Sequence, residues 1–258
     1  MTKELSREFY DGLYQDEIYA ASHYAHAAVP FLKKFVEEHN LQESTILDVG
    51  CGRGWFKDIV THWVGLDISE TAGKYVPNRF ICGSAENIPL ADESVDAIWS
   101  ITFLEHSPQP EVSLSEMVRV LKRGGLIYLS AAWRVQPWRP KGYEVKSFRE
   151  LALGEKILKL LLPVMNLIWA KGIFWVPVRT IRESLWKMIR KPTKLFFVPF
   201  QPNLVEFLLP DSDARNSIDQ HEVLLWFLSR GFVLSKRVNM LSRILMRSGP
   251  IIVSKPTV

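Results

Sequence analysis

What the chain lacks narrows the field first. It has 2 cysteines in 258 residues, Cys51 and Cys82, too few for a disulfide-stapled scaffold, so a reduced, cytoplasmic setting is expected. The charge-free run 160–170 in its most apolar stretch covers 11 residues, where a membrane-spanning helix needs roughly 20. Residues 1–10 mix Lys, Glu and Arg with no apolar centre, unlike a secretory signal. No internal repeat and no low-complexity tract is present, which excludes solenoids and biased linkers. With 47% apolar and 23% charged residues, a wholly disordered, collagenous or coiled-coil chain is excluded as well.

The net charge of +4 is unevenly spread. Residues 133–210 carry 14 Lys/Arg against 5 Asp/Glu, and the remainder 18 against 23. The same stretch holds five of the 9 tryptophans: Trp133, Trp138, Trp169, Trp175 and Trp186. One segment therefore differs in kind from its surroundings.

Hydrophobic rhythm sets the expected architecture. Residues 4–40 read as two helical pieces, the second with Phe31, Leu32, Phe35 and Val36 on one face and Pro30 in its first turn. Strands are expected at 45–49, 63–67, 79–82, 94–99 and 126–131, with helices at 55–61 and 111–122, the latter stopped by Gly124-Gly125. After the insertion the pattern resumes with a helix at 219–229 and strands at 232–238 and 246–254. Alternation of this kind predicts an α/β, Rossmann-like fold: a seven-stranded, mostly parallel sheet with helices on both faces. It would be a single domain, with an N-terminal helical cap (1–42), a core (43–132), a basic aromatic insertion (133–210) and a C-terminal part of the sheet (211–258).

Asp48-Val49-Gly50-Cys51-Gly52-Arg53-Gly54 falls after the first strand. Glycines there permit a tight turn and close approach of a ligand, and open parallel sheets bind ligands beyond the carboxyl ends of their strands. Asp67 ends the next strand, where an acid can accept both hydroxyl hydrogens of a ribose. Turn and acid together point to a nucleoside-bearing cofactor. A dinucleotide turn, G-x-G-x-x-G, would need glycine at Trp55, and no Gly-Lys-Ser/Thr follows for a P-loop. A cofactor with an amino-acid tail and no pyrophosphate suits Asp48, since a carboxylate can face an ammonium.

The motifs resemble those of class I S-adenosylmethionine-dependent methyltransferases of the small-molecule, methyltransferase domain 11-like type. Residues 46–54 look like that family's first motif, Val64-Gly65-Leu66-Asp67-Ile68-Ser69 like its second, and 83–90 with 92–96 like its third. Leu104-Glu105-His106 and Arg119-Val120-Leu121-Lys122-Arg123-Gly124-Gly125 are similar to the segments around strands four and five. The resemblance implies S-adenosyl-L-methionine as cofactor and S-adenosyl-L-homocysteine as product. It implies Gly50, Cys51 and Gly52 against the methionine part, Asp48 at its amino end and Ser100 near its carboxyl end. It places Asp67 on the ribose, Ile68 on the adenine face, and Ser84, Ala85 and Glu86 around the adenine ring. Many relatives carry an acid where this chain has Ser84, so that contact is altered or carried by water. Cys51 reads as a packing residue rather than a nucleophile.

An oxygen acceptor gains from a base, and His106 after strand four is the candidate; its other reading is a structural or substrate-positioning residue. Some quinone-pathway relatives hold a metal through Glu-x-x-Glu-His, but Thr102 takes the first place here, so no metal is expected. His23 and His26 read as surface positions on the cap, and His62, His221 and Asp96 as structural.

Three readings compete for the insertion: a helical subdomain with its own small core, an interfacial surface for an anionic membrane, and nucleic-acid binding, which the dominance of Leu, Ile and Val disfavours. Pro192, Pro199, Pro202 and Pro210 suggest an extended stretch over the pocket mouth. The resulting expectation is O-methylation of a small, glycan or lipid-linked acceptor in the cytoplasm, peripheral to the inner membrane face. The alternatives are a quinone or other lipid C- or O-methyltransferase, and a non-catalytic protein binding the cofactor or its product, against which Asp48, Gly50, Gly52 and Asp67 argue. The acceptor and oligomeric state stay open.

Overall fold

The alternating rhythm of residues 45–130 becomes a parallel sheet. Strands β1 (Thr45–Val49), β2 (His62–Asp67), β3 (Phe80–Cys82), β4 (Val95–Ile101) and β5 (Leu121–Ser130) lie in the order β3-β2-β1-β4-β5, all parallel. The free side of β5 takes β9 (Ile251–Ser254) in antiparallel register, and β8 (Val233–Leu234) pairs with β9. This is the expected seven-stranded, mostly parallel sheet. Its strands read as apolar runs because both faces are covered: Ile46, Leu47, Ala97, Ile98, Trp99, Ile127 and Leu129 are fully buried.

The computed structural model describes residues 3–17, 25–165, 168–205, 208–236, 238–246 and 248–257. Two compact units emerge. The first comprises Met1–Ala132, Phe232–Ser235 and Gly249–Val258; the second comprises Trp133–Gly231 and Lys236–Ser248. The helix expected to resume the core after residue 210 therefore folds with the second unit, and only two short segments return to the sheet.

In the first unit the sheet carries α1 (Lys3–Leu13), α2 (Ala25–Glu38), α3 (Glu70–Gly73) and α4 (Pro110–Val120). Leu32, Phe35 and Val36 of α2 bury themselves against Ile46, Trp63, Trp99 and Tyr128, each such side chain stabilising the fold by about 1.5–3 kcal/mol. The helix starts earlier than expected, so Pro30 lies inside it rather than in its first turn.

Three expectations fail for local reasons. Residues 55–61 form successive turns, not a helix; Gly54 holds φ +73° where a helix would need a right-handed residue, and the bonds Lys57 N–H to Gly54 and Ile59 N–H to Phe56 are tight i to i+3 links. Gly124-Gly125 stops nothing, because α4 ends at Val120 and both glycines sit within β5; a Cβ on Gly125 would lie 2.7 Å from the Asp96 carbonyl. The last strands are shorter, because Gly249 at φ +100° and Pro250 interrupt one of them and an additional helix intervenes.

The second unit has α5 (Leu153–Met165), α6 (Ile168–Ile189), a ribbon of β6 (Phe197–Pro199) and β7 (Asn216–Ile218), α7 (Gln220–Leu228) and α8 (Met240–Leu245). Trp138, Tyr143, Leu151 and Leu162 form a small core. Asn239 caps α8 by accepting the Ser242 N–H at 2.8 Å. Among the described residues no helix is long and apolar enough to cross a membrane.

Candidate functional site

The turn after β1 is built of left-handed backbone. Gly50, Gly52 and Gly54 have φ of +76°, +51° and +73°, values that side chains disfavour. The Gly50 and Cys51 N–H groups both donate to the Leu66 carbonyl, at 2.8 and 3.1 Å, which fixes the turn to the end of β2. A Cβ on Gly50 would lie 2.7 Å from Phe103, so the glycine admits that ring. Just before it, after β4, Thr102 holds φ +48°, a strained value for a β-branched residue. Its N–H is held by the Ser130 carbonyl at 2.7 Å.

Asp67 closes β2 and is buried. Its Oδ2 accepts from the Gly52 N–H at 2.9 Å and from the Tyr14 hydroxyl at 3.3 Å, and its Oδ1 accepts from the Ser69 N–H at 3.0 Å. Burial raises its pKa, and those three bonds oppose the rise. A carboxylate offers about four acceptor positions, so it retains capacity for a further donor.

Helix α1 lies across this end of the sheet. The Arg7 guanidinium donates to the Ile68 carbonyl at 3.2 Å. Asp11 accepts from the Ser69 hydroxyl at 2.5 Å and the Thr71 N–H at 2.9 Å, placing a negative charge at the start of α3. The Tyr75 hydroxyl donates to the Tyr14 carbonyl at 3.0 Å. Tyr10 stacks on Tyr14 with ring centres 5.8 Å apart and meets His106 edge-on at 6.4 Å. An aromatic wall thus runs from Asp67 to His106. In the first helical piece expected within residues 4–40, the i, i+4 spacing of Tyr10 and Tyr14 was the available signal.

The other residues singled out occupy varied places. Ala85 is buried, and its backbone N–H donates to nothing among the described residues. Ser84 makes the local turn, accepting the Glu86 N–H at its hydroxyl (3.3 Å) and the Asn87 N–H at its carbonyl (3.0 Å). Ile68 is half-buried. Ser100 is buried and donates to the Val49 carbonyl at 2.9 Å, tying β4 to β1. Asp48 is buried under the sheet, where it accepts the Trp63 indole N–H at 3.2 Å with the Trp99 indole beside it; burial pushes its pKa up to about 7. Cys51 is buried and its thiol is pushed well above its ordinary pKa by burial, which keeps it an inert packing group. Trp55 packs against the core cluster.

His106 ends the 3-10 turn Leu104–His106, with its Nε2 3.9 Å from the carboxylate of Glu105, and Glu105 is buried and accepts the Ala132 N–H at 2.9 Å. Asp96 accepts from the Thr45 N–H and Lys122. His62 is exposed near Glu43. His23 and the side chain of His26 lie outside the described residues.

Residues 47–129 match the methyltransferase domain family. An uncharacterized methyltransferase of Mycobacterium bovis is 39% identical over 97 residues, covering 33% of this chain and 38% of the relative. The malonyl-[acyl-carrier protein] O-methyltransferase of Erwinia pyrifoliae is 34% identical over 94 residues, covering 33% of this chain and 36% of that one. The chain thus spans little more than a third of the curated relatives it matches. A solved structure from Thermotoga maritima, a possible histamine N-methyltransferase, is similar over 93% of this chain and 95% of its own, at 18% identity and TM-score 0.47.

Over residues 47–129 the chain is similar to class I S-adenosylmethionine-dependent methyltransferases. That likeness makes S-adenosyl-L-methionine the group to fit against this site. The residues present suit such a group. Side-chain-free backbone at Gly52, the buried Ala85 N–H and the Asp67 carboxylate supply close approach, a donor and an acceptor at the carboxyl ends of β1 to β3. Asp48 accepts the Trp63 indole N–H, and the charge of Asp67 adds to the upward push on its pKa.

Proposed function

We propose that the protein transfers the methyl group of S-adenosyl-L-methionine to a hydroxyl of a small, glycan or lipid-linked acceptor. One observation carries the reading: the Gly52 N–H and the Asp67 carboxylate meet at 2.9 Å where β1 and β2 end. In this reading Asp67 accepts from the ribose hydroxyls, with its Tyr14 bond as the one that yields. Gly50, Cys51 and Gly52 present backbone to the methionine part, and Ser100 holds the strand that ends beside it. Asp48, whose carboxyl pKa burial holds at about 7, gives up its proton as the ammonium approaches through the turn. Ile68 packs on the adenine, the Ala85 N–H donates to its ring, and Ser84 and Glu86 line its edge.

When bound, the cofactor supplies a methyl group already activated by a sulfonium, so the chain's work is alignment, exclusion of water and removal of the acceptor proton. His106 is the base in this reading, oriented by the buried Glu105 and the Tyr10 ring. The Erwinia relative, named an O-methyltransferase, supports oxygen as the acceptor atom.

Titration with S-adenosyl-L-homocysteine tests the site. Asp67→Ala should weaken binding by about 2–3 kcal/mol, as expected for losing bonds to a charged acceptor; undiminished binding overturns the assignment. Turnover of a panel of hydroxylated glycans and lipids tests the rest: His106→Asn should lower kcat about 100-fold or more, and unchanged turnover removes His106 as base.

A further inference from the structure

The second unit contains a helix whose polarity is reversed. On α6, Arg179 and Glu183, one turn apart, are buried at 3% and 0% exposure. Arg179 grips Asp219 with two nitrogens (2.6 and 3.1 Å) and donates to the Ile244 carbonyl at 2.7 Å; Glu183 meets His221 at 3.1 Å and Arg243. The other side of the same helix shows Val178, Ile181, Leu185 and Met188 to solvent, Met188 at 74% exposure. Spaced i, i+3, i+7, i+10, they form one stripe. Helix α5 adds a second. Leu158 and Leu162 pack into the small core, while Ile157, Leu160, Leu161 and Val164, on the remaining face, stay exposed, Leu160 at 67%.

A water-facing surface reverses this distribution at a cost: each exposed aliphatic side chain forgoes its burial, and a buried ion pair gives up its hydration. A surrounding that is itself apolar removes the first cost. The charges beside the stripes point the same way. Between residues 153 and 200 the acids are Glu155 and Glu183; Glu183 is buried, and Glu155 is engaged by the Tyr143 hydroxyl and the Ala152 N–H. Arg190, Lys191 and Lys194, by contrast, are exposed at and after the end of α6.

We infer that the exposed faces of α5 and α6 lie in the interface of an anionic lipid bilayer, with aliphatic side chains at the acyl boundary and Arg190, Lys191 and Lys194 on phosphate headgroups. Lipid is preferred over a second copy of the chain because a copy would bring the same basic, acid-poor surface. This inference concerns the second unit alone and stands independently of the transferase reading.

Flotation of the full chain with vesicles tests it. Binding is expected to phosphatidylcholine vesicles containing about a third phosphatidylglycerol, about tenfold weaker with phosphatidylcholine alone, and reduced by salt. Leu160→Glu combined with Met188→Glu should lower binding about tenfold or more while leaving the thermal midpoint and S-adenosyl-L-homocysteine affinity unchanged, since both positions are exposed. Arg190→Glu combined with Lys191→Glu should abolish the preference for anionic vesicles. No flotation on anionic vesicles at low salt overturns the inference, as does flotation that survives the Leu160→Glu and Met188→Glu pair. A concentration-dependent dimer dissolved by that pair, without flotation, assigns the face to a second copy and overturns it too. Loss of cofactor binding in wild type would strike the transferase reading and leave this one standing.

Discussion

In the first unit large aliphatic and aromatic side chains are inside; among its described residues Leu5, Phe31, Val112 and Val233 are the large hydrophobics left exposed. In the second unit Leu153, Leu160, Met188, Ile181, Leu241 and Val205 are each more exposed than half, while Arg179, Glu183, Asp219, His221 and Glu222 are buried. The two also differ in what their buried charges do. Among the described residues Asp48 and Asp67 have no cationic partner, and burial drives both pKa values upward. In the second unit Arg179 faces Asp219, and Arg182 holds Glu222 bidentately at 2.7 and 2.9 Å. Glu183 is held below the usual carboxylate range: burial opposes it, but Arg243 and His221 outweigh burial. The first unit's buried carboxylates Asp48 and Asp67 are held by neutral donors, the Trp63 indole, the Tyr14 hydroxyl and backbone N–H groups. Paired ones in the second hold helices together.

The largest test of this contrast is Arg179→Ala. It leaves the buried Asp219 with the more distant Arg134 guanidinium at 3.9 Å in place of the two close Arg179 nitrogens, and the second unit should lose about 3 kcal/mol, read as a chemical-denaturation midpoint; a loss below about 1 kcal/mol would show the ion pair to be ornamental. Next comes pH. Between the ordinary 3.8 and about 7 the folded chain keeps a proton on Asp48 that the unfolded chain has released. Stability therefore falls as pH rises through that window, by at most about 4 kcal/mol at about 1.4 kcal/mol per pH unit. Thermal midpoints at the two ends of the window should show the drop without cofactor, and Asp48→Asn should flatten it. A smaller effect is expected from Tyr14→Phe, which removes one bond to Asp67 and should cost about 1 kcal/mol of stability; if the ribose takes that acceptor position, S-adenosyl-L-homocysteine affinity will hold or rise in isothermal titration. Smallest is Ile181→Ser on the exposed stripe, expected within about 0.5 kcal/mol of wild type in water. A larger loss would mean that the stripe is covered by protein.

The core was legible because parallel strands buried on both faces write themselves as short apolar runs, as at Ile46-Leu47 and Ala97-Ile98-Trp99, and because glycines at 50 and 52 followed by Asp67 have few other uses in such a sheet. The turns at 55–61 were not, since seven residues with apolar Phe56, Ile59 and Val60 satisfy a helical pattern equally well, and only the left-handed Gly54 decides against it. Tyr14 could not be assigned to Asp67, 53 residues away, without the fold. The same holds for Arg179 and Asp219, 40 residues apart: each reads locally as a surface charge, and only tertiary packing reveals it as interior. Exposed leucines on α5 carry the same amphipathic signature as core leucines, so periodicity alone could not say which face was covered.

The pairing of Leu126–Leu129 with Ile251–Ser254 has a consequence for biogenesis. Translation must deliver the whole second unit before β9 emerges. At about 5–20 residues per second, the nascent sheet waits on the order of ten seconds with the β5 margin unzipped. Such a seam invites pairing with a neighbouring polypeptide. Slow decoding or a stall within the insertion lengthens that wait, so codon choice across the insertion should govern how much of the product accumulates without clumping.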